Sequence, residues 1–335
     1  MSDVAEVAGV SHQTVSRVRN DHPSVRPETR DRVLAAISEL GYRRNSAARA
    51  LVTRRSGTIG VVTTGSLLYG PTSTLVGLEE AARDAGYFVS VATISEFDAA
   101  TMHGALEHFM GQGVEGIVII APQVEVMRAV EDFDAPVPVV MISSADQPDA
   151  VRLHTVSVDQ FDGARQATRH LLAAGGGEVA HVAGPLDWFD AQDRLAGWRA
   201  ECAAAGVAAP EPIEADWTAE RGYAVGRAMV REGAPSAVFA ANDQLALGLL
   251  RAFWEGGVRL PQDVALAGFD DVTGSAYFTP PLTTVRQDFA ALGRLTIEAL
   301  TAALEGRSVT RHTLPAELVV RASSWSGEPA SRAGE

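Results

Sequence analysis

Apolar positions in the N-terminal segment recur at helical spacing. Val4, Ala5, Val7 and Ala8 mark a short first helix, Gly9 supplies the positive φ that ends it, and Ser11 is a natural N-cap for a second. In that second helix Val15 and Val18 face inward while His12, Gln13, Ser16, Arg17 and Asn20 share the opposite surface. A third helix runs from Pro27, which suits a first turn, to Gly41, with Val33, Leu34, Ile37 and Leu40 as its expected buried stripe. Two helices pinched at a glycine, with a polar face left over, read as a helix-turn-helix whose face fits a major groove. Gln matches the N6/N7 edge of adenine and Arg the O6/N7 edge of guanine. Gln13 and Arg17 are therefore candidate base readers, with Ser11, Thr14 and Asn20 as phosphate contacts. A small helical cap whose polar residues merely face water is the competing reading, and the coincidence of turn, cap and Gln/Arg face speaks against it.

The segment 43–57 is basic and alanine-rich, with too little apolar surface to fold alone. It is either a tether or a helix that needs a partner. From Thr58 the period changes. Apolar runs of strand length at 59–63, 88–92, 116–121, 137–142, 179–183, 237–241 and 264–268 are separated by helical segments, the pattern of parallel βαβ units. The run suffices for two doubly wound sheets, with 156–162 as the first crossing between them.

Charge sharpens this division. The chain has 335 residues, no lysine, 28 arginines and 42 acidic residues, for a formal net charge of -14. Residues 1–56 nevertheless hold ten Arg against six Asp and Glu, and the remainder eighteen against thirty-six. A basic head on an acidic body suits a protein that presents one end to nucleic acid. The missing lysines themselves are put down to nucleotide bias. A single cysteine, Cys202, leaves no intramolecular disulfide and no cysteine-based metal cluster. Neither a signal pattern nor a membrane-length apolar run occurs, so the expectation is a cytoplasmic protein without a membrane partner.

Ligands of doubly wound sheets bind beyond the carboxyl ends of the strands. The polar residues there are Thr63 and Thr64, Ser143 and Ser144, the stretch 184–188, Asn242 and Asp243, and Asp270 and Asp271. They suit a sugar better than a reaction. Arg194, Asn242 and Asp270 form a possible hydroxyl-binding set, with Trp188, Trp217 and Phe289 as walls for a pyranose. Each alone also fits a bland role, a tryptophan in the core or an aspartate capping a helix. The chain has no dinucleotide fingerprint, phosphate loop, nucleophile elbow or zinc-protease motif, and its eight histidines are scattered. No reaction, cofactor or metal is assigned; His154 and His181 are read as structural.

Several segments carry a resemblance. They are 3–20 (DVAEVAGVSHQTVSRVRN), 194–198 (RLAGW), 216–217 (DW), 241–248 (ANDQLALG), 268–271 (GFDD) and 280–289 (PPLTTVRQDF), and through them nearly the whole chain resembles the lac repressor family of bacterial transcription regulators. The resemblance implies an α/β protein with a helix-turn-helix headpiece (1–44), a hinge helix (45–56), a periplasmic-binding-protein-like core (57–325) and a disordered tail (326–335). The core would divide into an N-subdomain, 57–156 with 288–315, and a C-subdomain, 157–287 with 316–325. It puts His12, Gln13 and Arg17 on base-reading positions and Ser11, Thr14, Ser16 and Asn20 on phosphates. Asn45, Ala48 and Leu51 fall where the family's hinge enters the minor groove, Leu51 as the wedge that opens a base step. Two hinges must meet, which implies a homodimer on double-stranded, near-palindromic operator DNA.

In the core the resemblance places Arg194, Trp217, Asn242, Asp270, Gln287 and Phe289 on effector positions, with Leu68, Pro71 and Leu292 along an apolar end. Departures are equally informative. Ser143 stands where the family's namesake has an aspartate, Asp190 where it has a serine, and Trp188 replaces a small residue, so a carboxylate has moved across the cleft. The implied function is a repressor released from its operator by a saccharide, a galactoside or a relative of one. A ligand acting as co-repressor, a sugar or a purine, and a sugar-binding protein without a DNA role are the alternatives. One cation in the cleft favours a neutral sugar over a phosphate. The tail lacks a leucine heptad, so a dimer rather than a tetramer is expected. Only Met1 and Ser2 precede Asp3; either Ser2 caps the first helix unaided or the natural start lies upstream.

Overall fold

The computed structural model describes residues 1–19, 22–41, 55–65, 68–94, 98–120, 123–131, 133, 135–144, 153–175, 177–307 and 311–324. The chain divides into two compact units, Met1–Ser56 and Gly57–Glu335. The phosphate candidate Asn20 and the hinge candidates Asn45, Ala48 and Leu51 lie outside the described residues.

Among the described residues the first unit holds three helices, α1 (Ser2–Val7), α2 (His12–Arg19) and α3 (Pro27–Glu39). Gly9 adopts φ +61°, which lets the chain reverse between α1 and α2. Val4, Ala5, Ala8, Val15, Val18, Val33 and Ala36 close a small core. Two expectations need correction. Leu34 and Leu40 are exposed, because the inward face of α3 runs Val33–Ala36–Ile37; Leu34 points a quarter-turn away and Leu40 lies past the last helical residue. Ser2 does not cap α1: Met1 occupies that position and Ser2 is already helical, with no side-chain cap hydrogen bond.

Among the described residues the second unit contains two six-stranded sheets. Its first half comprises β1 (Thr58–Thr64), α4 (Tyr69–Asp84), β2 (Phe88–Ile94), α5 (Ala99–Gln112), β3 (Gly116–Ile120), α6 (Val124–Glu131), β4 (Val139–Ile142) and β5 (Leu153–Val158). The second half follows with α7 (Gln160–Gly175), β6 (Val179–Ala183), α8 (Phe189–Ala204), β7 (Ile213–Glu214), α9 (Ala219–Glu232), β8 (Ala237–Ala240), α10 (Asp243–Glu255) and β9 (Ala265–Asp270). The chain then runs through β10 (Thr283–Arg286), α11 (Phe289–Leu304), β11 (His312–Leu314) and β12 (Glu317–Val319). Strand order is β11-β5-β4-β3-β1-β2 in one sheet and β12-β10-β9-β8-β6-β7 in the other. The described pairings are parallel except for β12 against β10. The chain therefore passes between the sheets at 158–160, at 286–289 and at 314–317.

The apolar runs correspond to β1–β4, β6, β8 and β9. Others escaped that criterion because they bury hydroxyls. In β5, Thr155 and Ser157 are buried, and in β10, Thr283 and Thr284. Their hydroxyls find partners, Ser157 with Thr313 at 3.3 Å and Thr284 with Asp243 at 2.6 Å, so the polar groups are satisfied inside the sheets.

One close approach positions a wall of the cleft described below. The helix α11 returns to the first half of the unit and crosses α4, where a Cβ on Gly77 would lie 2.5 Å from the Phe289 carbonyl oxygen and one on Gly293 2.3 Å from the Gly77 carbonyl carbon. No flexible side chain is available to yield. Gly293→Val is expected to cost about 3 kcal/mol by overpacking, read as a lower urea midpoint; an unchanged midpoint would contradict this crossing.

Candidate functional site

In the first unit, the Ser11 hydroxyl accepts the Thr14 N–H at 3.1 Å and so begins α2 where the sequence suggests. With Val15 and Val18 buried, Ser11, His12, Gln13 and Arg17 are exposed and Thr14 and Ser16 half-buried. Gln13 and Arg17 lie one turn apart, which brings the base-reading candidates onto one solvent-facing surface.

In the second unit, a cleft opens between the carboxyl ends of the two sheets. Leu68, Pro71, Ser143, Trp188, Asp190, Arg194, Trp217, Asn242, Asp270, Gln287, Phe289 and Leu292 all line it. Thr64 does not. It is buried as the last residue of β1, and the chain beyond it supplies Leu68 and Tyr69 to the cleft instead.

The polar end is a closed ring. Arg194, buried on α8, donates from Nε to Gln160 Oε1 at 2.9 Å; Gln160 Nε2 donates to Gln287 Oε1 at 2.9 Å; Gln287 Nε2 donates to Asp270 Oδ1 at 2.7 Å. Asp270 Oδ1 closes the circuit 3.5 Å from Arg194 Nη2. Arg194 Nη1 also donates to the Ala241 carbonyl, and its guanidinium stacks 3.8 Å over Phe269. Burial raises the Asp270 carboxyl above the usual range, while Arg194 and the Gln287 amide pull it back.

Backbone geometry aims these groups. Asp270 holds φ +104° and Trp217 φ +70°, sparsely populated for residues with a Cβ. Asn242 accepts the Leu245 N–H at 2.8 Å as the cap of α10 and donates to the Trp217 carbonyl at 3.1 Å, which holds the turn in place. The Trp217 indole fits against Gly184, where any Cβ would meet the ring. Its Nε1 is buried without a hydrogen-bond partner among the described residues. Trp188 meets Trp217 edge-on at 5.9 Å. Beneath Asp270, buried Asp243 accepts from Ser275 Oγ at 2.5 Å, Thr284 Oγ1 at 2.6 Å and the Val272 N–H at 2.9 Å, pinning the loop after β9. Burial, reinforced by Asp270, pushes its carboxyl up to about 7 despite these donors.

Asp190 occupies the wall opposite Ser143 and Ser144. Although part of the residue reaches solvent, enclosure of its carboxyl pushes it up to about 6; Arg194 lowers it, and Asp193 and Asp270 raise it. Ser144 Oγ donates to it at 3.5 Å, across the cleft. On the same side Val124 N–H donates to the Asp187 carbonyl at 3.1 Å, joining the two halves of the unit.

Gln160 and Tyr69 line the cleft without having been singled out in the sequence, whereas Ser144 was among the polar residues picked after the strands. The rule that picks polar residues after strands would have found Gln160 had β5 been an apolar run. His181, read as structural, is buried between Trp198 and Phe239, and desolvation lowers it to about 4.

Residues 1–45 match the model of bacterial regulatory proteins of the lacI family, and residues 168–324 that of a periplasmic binding protein-like domain. The chain is 35% identical over 322 residues to the lactose operon repressor of Escherichia coli (strain K12), covering 95% of this chain and 89% of that protein. A lac repressor dimer bound to operator and the anti-inducer ONPF superposes with a TM-score of 0.85 at 34% identity, covering 97% of this chain and 98% of the other. The transcriptional regulator CelR in complex with cellobiose gives a TM-score of 0.73 at 31% identity, covering 96% and 98%.

A raised carboxyl is a penalty on its ionised form. The stability tied to the Asp190 proton is present at low pH and lost as pH rises through about 6. Asp190→Asn is therefore expected to melt higher than the parent above pH 7 and to converge with it as pH falls towards the ordinary aspartate value, in thermal denaturation across pH. A constant difference across that range would contradict the burial of this carboxyl.

Proposed function

The chain belongs to the lacI family of bacterial regulatory proteins as a transcriptional repressor, and from that membership we propose that it binds operator DNA as a homodimer and leaves it when a saccharide occupies the cleft. His12, Gln13 and Arg17 read bases, and Ser11, Thr14, Ser16 and Asn20 hold phosphates. Asn45, Ala48 and Leu51 are assigned to the minor groove, with Leu51 as the wedge. Homodimerisation follows the dimer in which the similar lac repressor structure holds its operator.

The observation that carries the saccharide reading is the buried ring of Arg194, Gln160, Gln287 and Asp270, exposed to a cavity beside aromatic walls and an unbonded Trp217 Nε1. Fixed donors and acceptors of both kinds beside flat apolar faces suit a molecule that is hydroxylated on its edges and apolar on its faces. The likeness to a cellobiose-bound regulator supports the same class. A phosphate-bearing effector is disfavoured, since Arg194 is already committed to Asp270 and Asp190 adds a second negative charge to the lining. Ser143, Asn242 and Gln287 supply further hydrogen bonds, and Leu68, Pro71, Phe289 and Leu292 pack the less polar end.

Because the cleft is walled by both sheets, a ligand that bonds to both changes their spacing. The segment 45–56 transmits that change to the headpiece as a population shift away from the DNA-binding state.

Fluorescence anisotropy with DNA from upstream of the coding sequence tests both halves. Arg17→Ala is expected to weaken DNA binding by about 1–3 kcal/mol and leave saccharide binding unchanged. Asp270→Asn, which tolerates the same backbone, is expected to weaken saccharide binding and release at least ~10-fold while DNA binding persists. Parental DNA affinity in Arg17→Ala, or parental release in Asp270→Asn, would overturn the assignment.

A further inference from the structure

The charges in the cleft do not balance. Two carboxylates, Asp190 and Asp270, line the cavity with Arg194, the one basic residue among those lining it. That guanidinium is spent on Asp270, Gln160, the Ala241 carbonyl and the Phe269 ring. Asp190 is left facing the cavity with a single hydroxyl, that of Ser144 at 3.5 Å, and with no ion pair among the described residues. Two residues before it, the buried Trp188 ring lines the same cavity, set edge-on to Trp217. The described cation–ring contacts include Trp217 but not Trp188.

We propose that the effector is an amino sugar, a saccharide whose protonated amine sits between the Asp190 carboxylate and the Trp188 ring. This rests on the saccharide reading of the same cleft and narrows it. A neutral sugar would leave an enclosed carboxylate without a counter-charge, whereas an ammonium group supplies three donors and a charge at the cavity face where both are missing. An aromatic ring beside a carboxylate is a favourable environment for such a cation, since the ring face attracts it and the enclosure weakens competition from water. The sequence reading weighed a neutral sugar against a phosphate, from Trp217, Asp270 and Arg194; the uncompensated Asp190 tips the choice towards an amine. The amine's counter-charge also explains how Asp190 is tolerated where burial disfavours its ionised form.

Isothermal titration calorimetry of the full chain at neutral pH, with galactosamine and glucosamine against galactose, glucose and the two N-acetylated sugars, tests this. The same comparison is made with a glucosamine disaccharide against cellobiose. The amine is expected to bind at least ~10-fold tighter than its neutral and N-acetylated counterparts. Asp190→Asn, which removes the charge and keeps the shape, is expected to abolish that preference, and Asp190→Glu to restore part of it. Neutral sugars binding as tightly as the amines, or a preference that survives in Asp190→Asn, would overturn the amino-sugar assignment and leave the saccharide reading intact. Binding of a purine and of no saccharide in either set would overturn both.

Discussion

The guanidinium of Arg194 lies where the two sheets face each other, and much of the cleft is organised around keeping a charge there. Its attraction to Asp270 alone would not offset the desolvation of both groups. The ring through Gln160 and Gln287, the Ala241 carbonyl and the Phe269 face supply the remaining contacts. Removing one charged member would leave its partner buried and uncompensated, a loss of about 3–5 kcal/mol in comparable pairs. Such a ring fixes donors and acceptors before a ligand arrives, so little ordering is required on binding.

The ring also lies at the joint between the sheets. Gln160 begins α7 directly after the first crossing and Gln287 follows β10 at the second, so their hydrogen bond ties two crossings together. The third is tied to the same helix: Asp159 N–H donates to the Leu314 carbonyl at 2.8 Å, and Gln166 donates to Ala316 and accepts from the Leu318 N–H. A ligand that displaces a member of the ring therefore acts on the segments that join the two sheets. Small changes at a site are amplified in this way when the connection is bistable rather than elastic.

The extent to which this was legible in the sequence follows from sequence separation. The helix-turn-helix is local: Gly9, Ser11, Val15 and Val18 each declare their role within a few residues. Strands buried on both faces announce themselves as apolar runs, and the residues just after them, Asn242 and Asp270, could be read as cleft residues. β5 and β10 bury hydroxyls instead, so Ser157 and Gln160 were passed over and Gln287 was reached only through resemblance. The ring itself joins residues 127 positions apart, and no periodicity reports such a contact. Leu34, Leu40 and Thr64 failed for the opposite reason, since local pattern assigned them a face or an opening that the packed structure gives to their neighbours.

The central claim is that the cleft and the DNA-binding surface share one equilibrium, and such coupling is reciprocal: whatever factor the ligand takes from DNA affinity, DNA must take from ligand affinity. The most direct test is the saccharide dissociation constant of the full chain, measured by calorimetry with and without saturating operator DNA. The account predicts weaker saccharide binding on the DNA-bound protein, by the same factor as the ligand-induced loss of DNA affinity. Equal dissociation constants in the two titrations would contradict it.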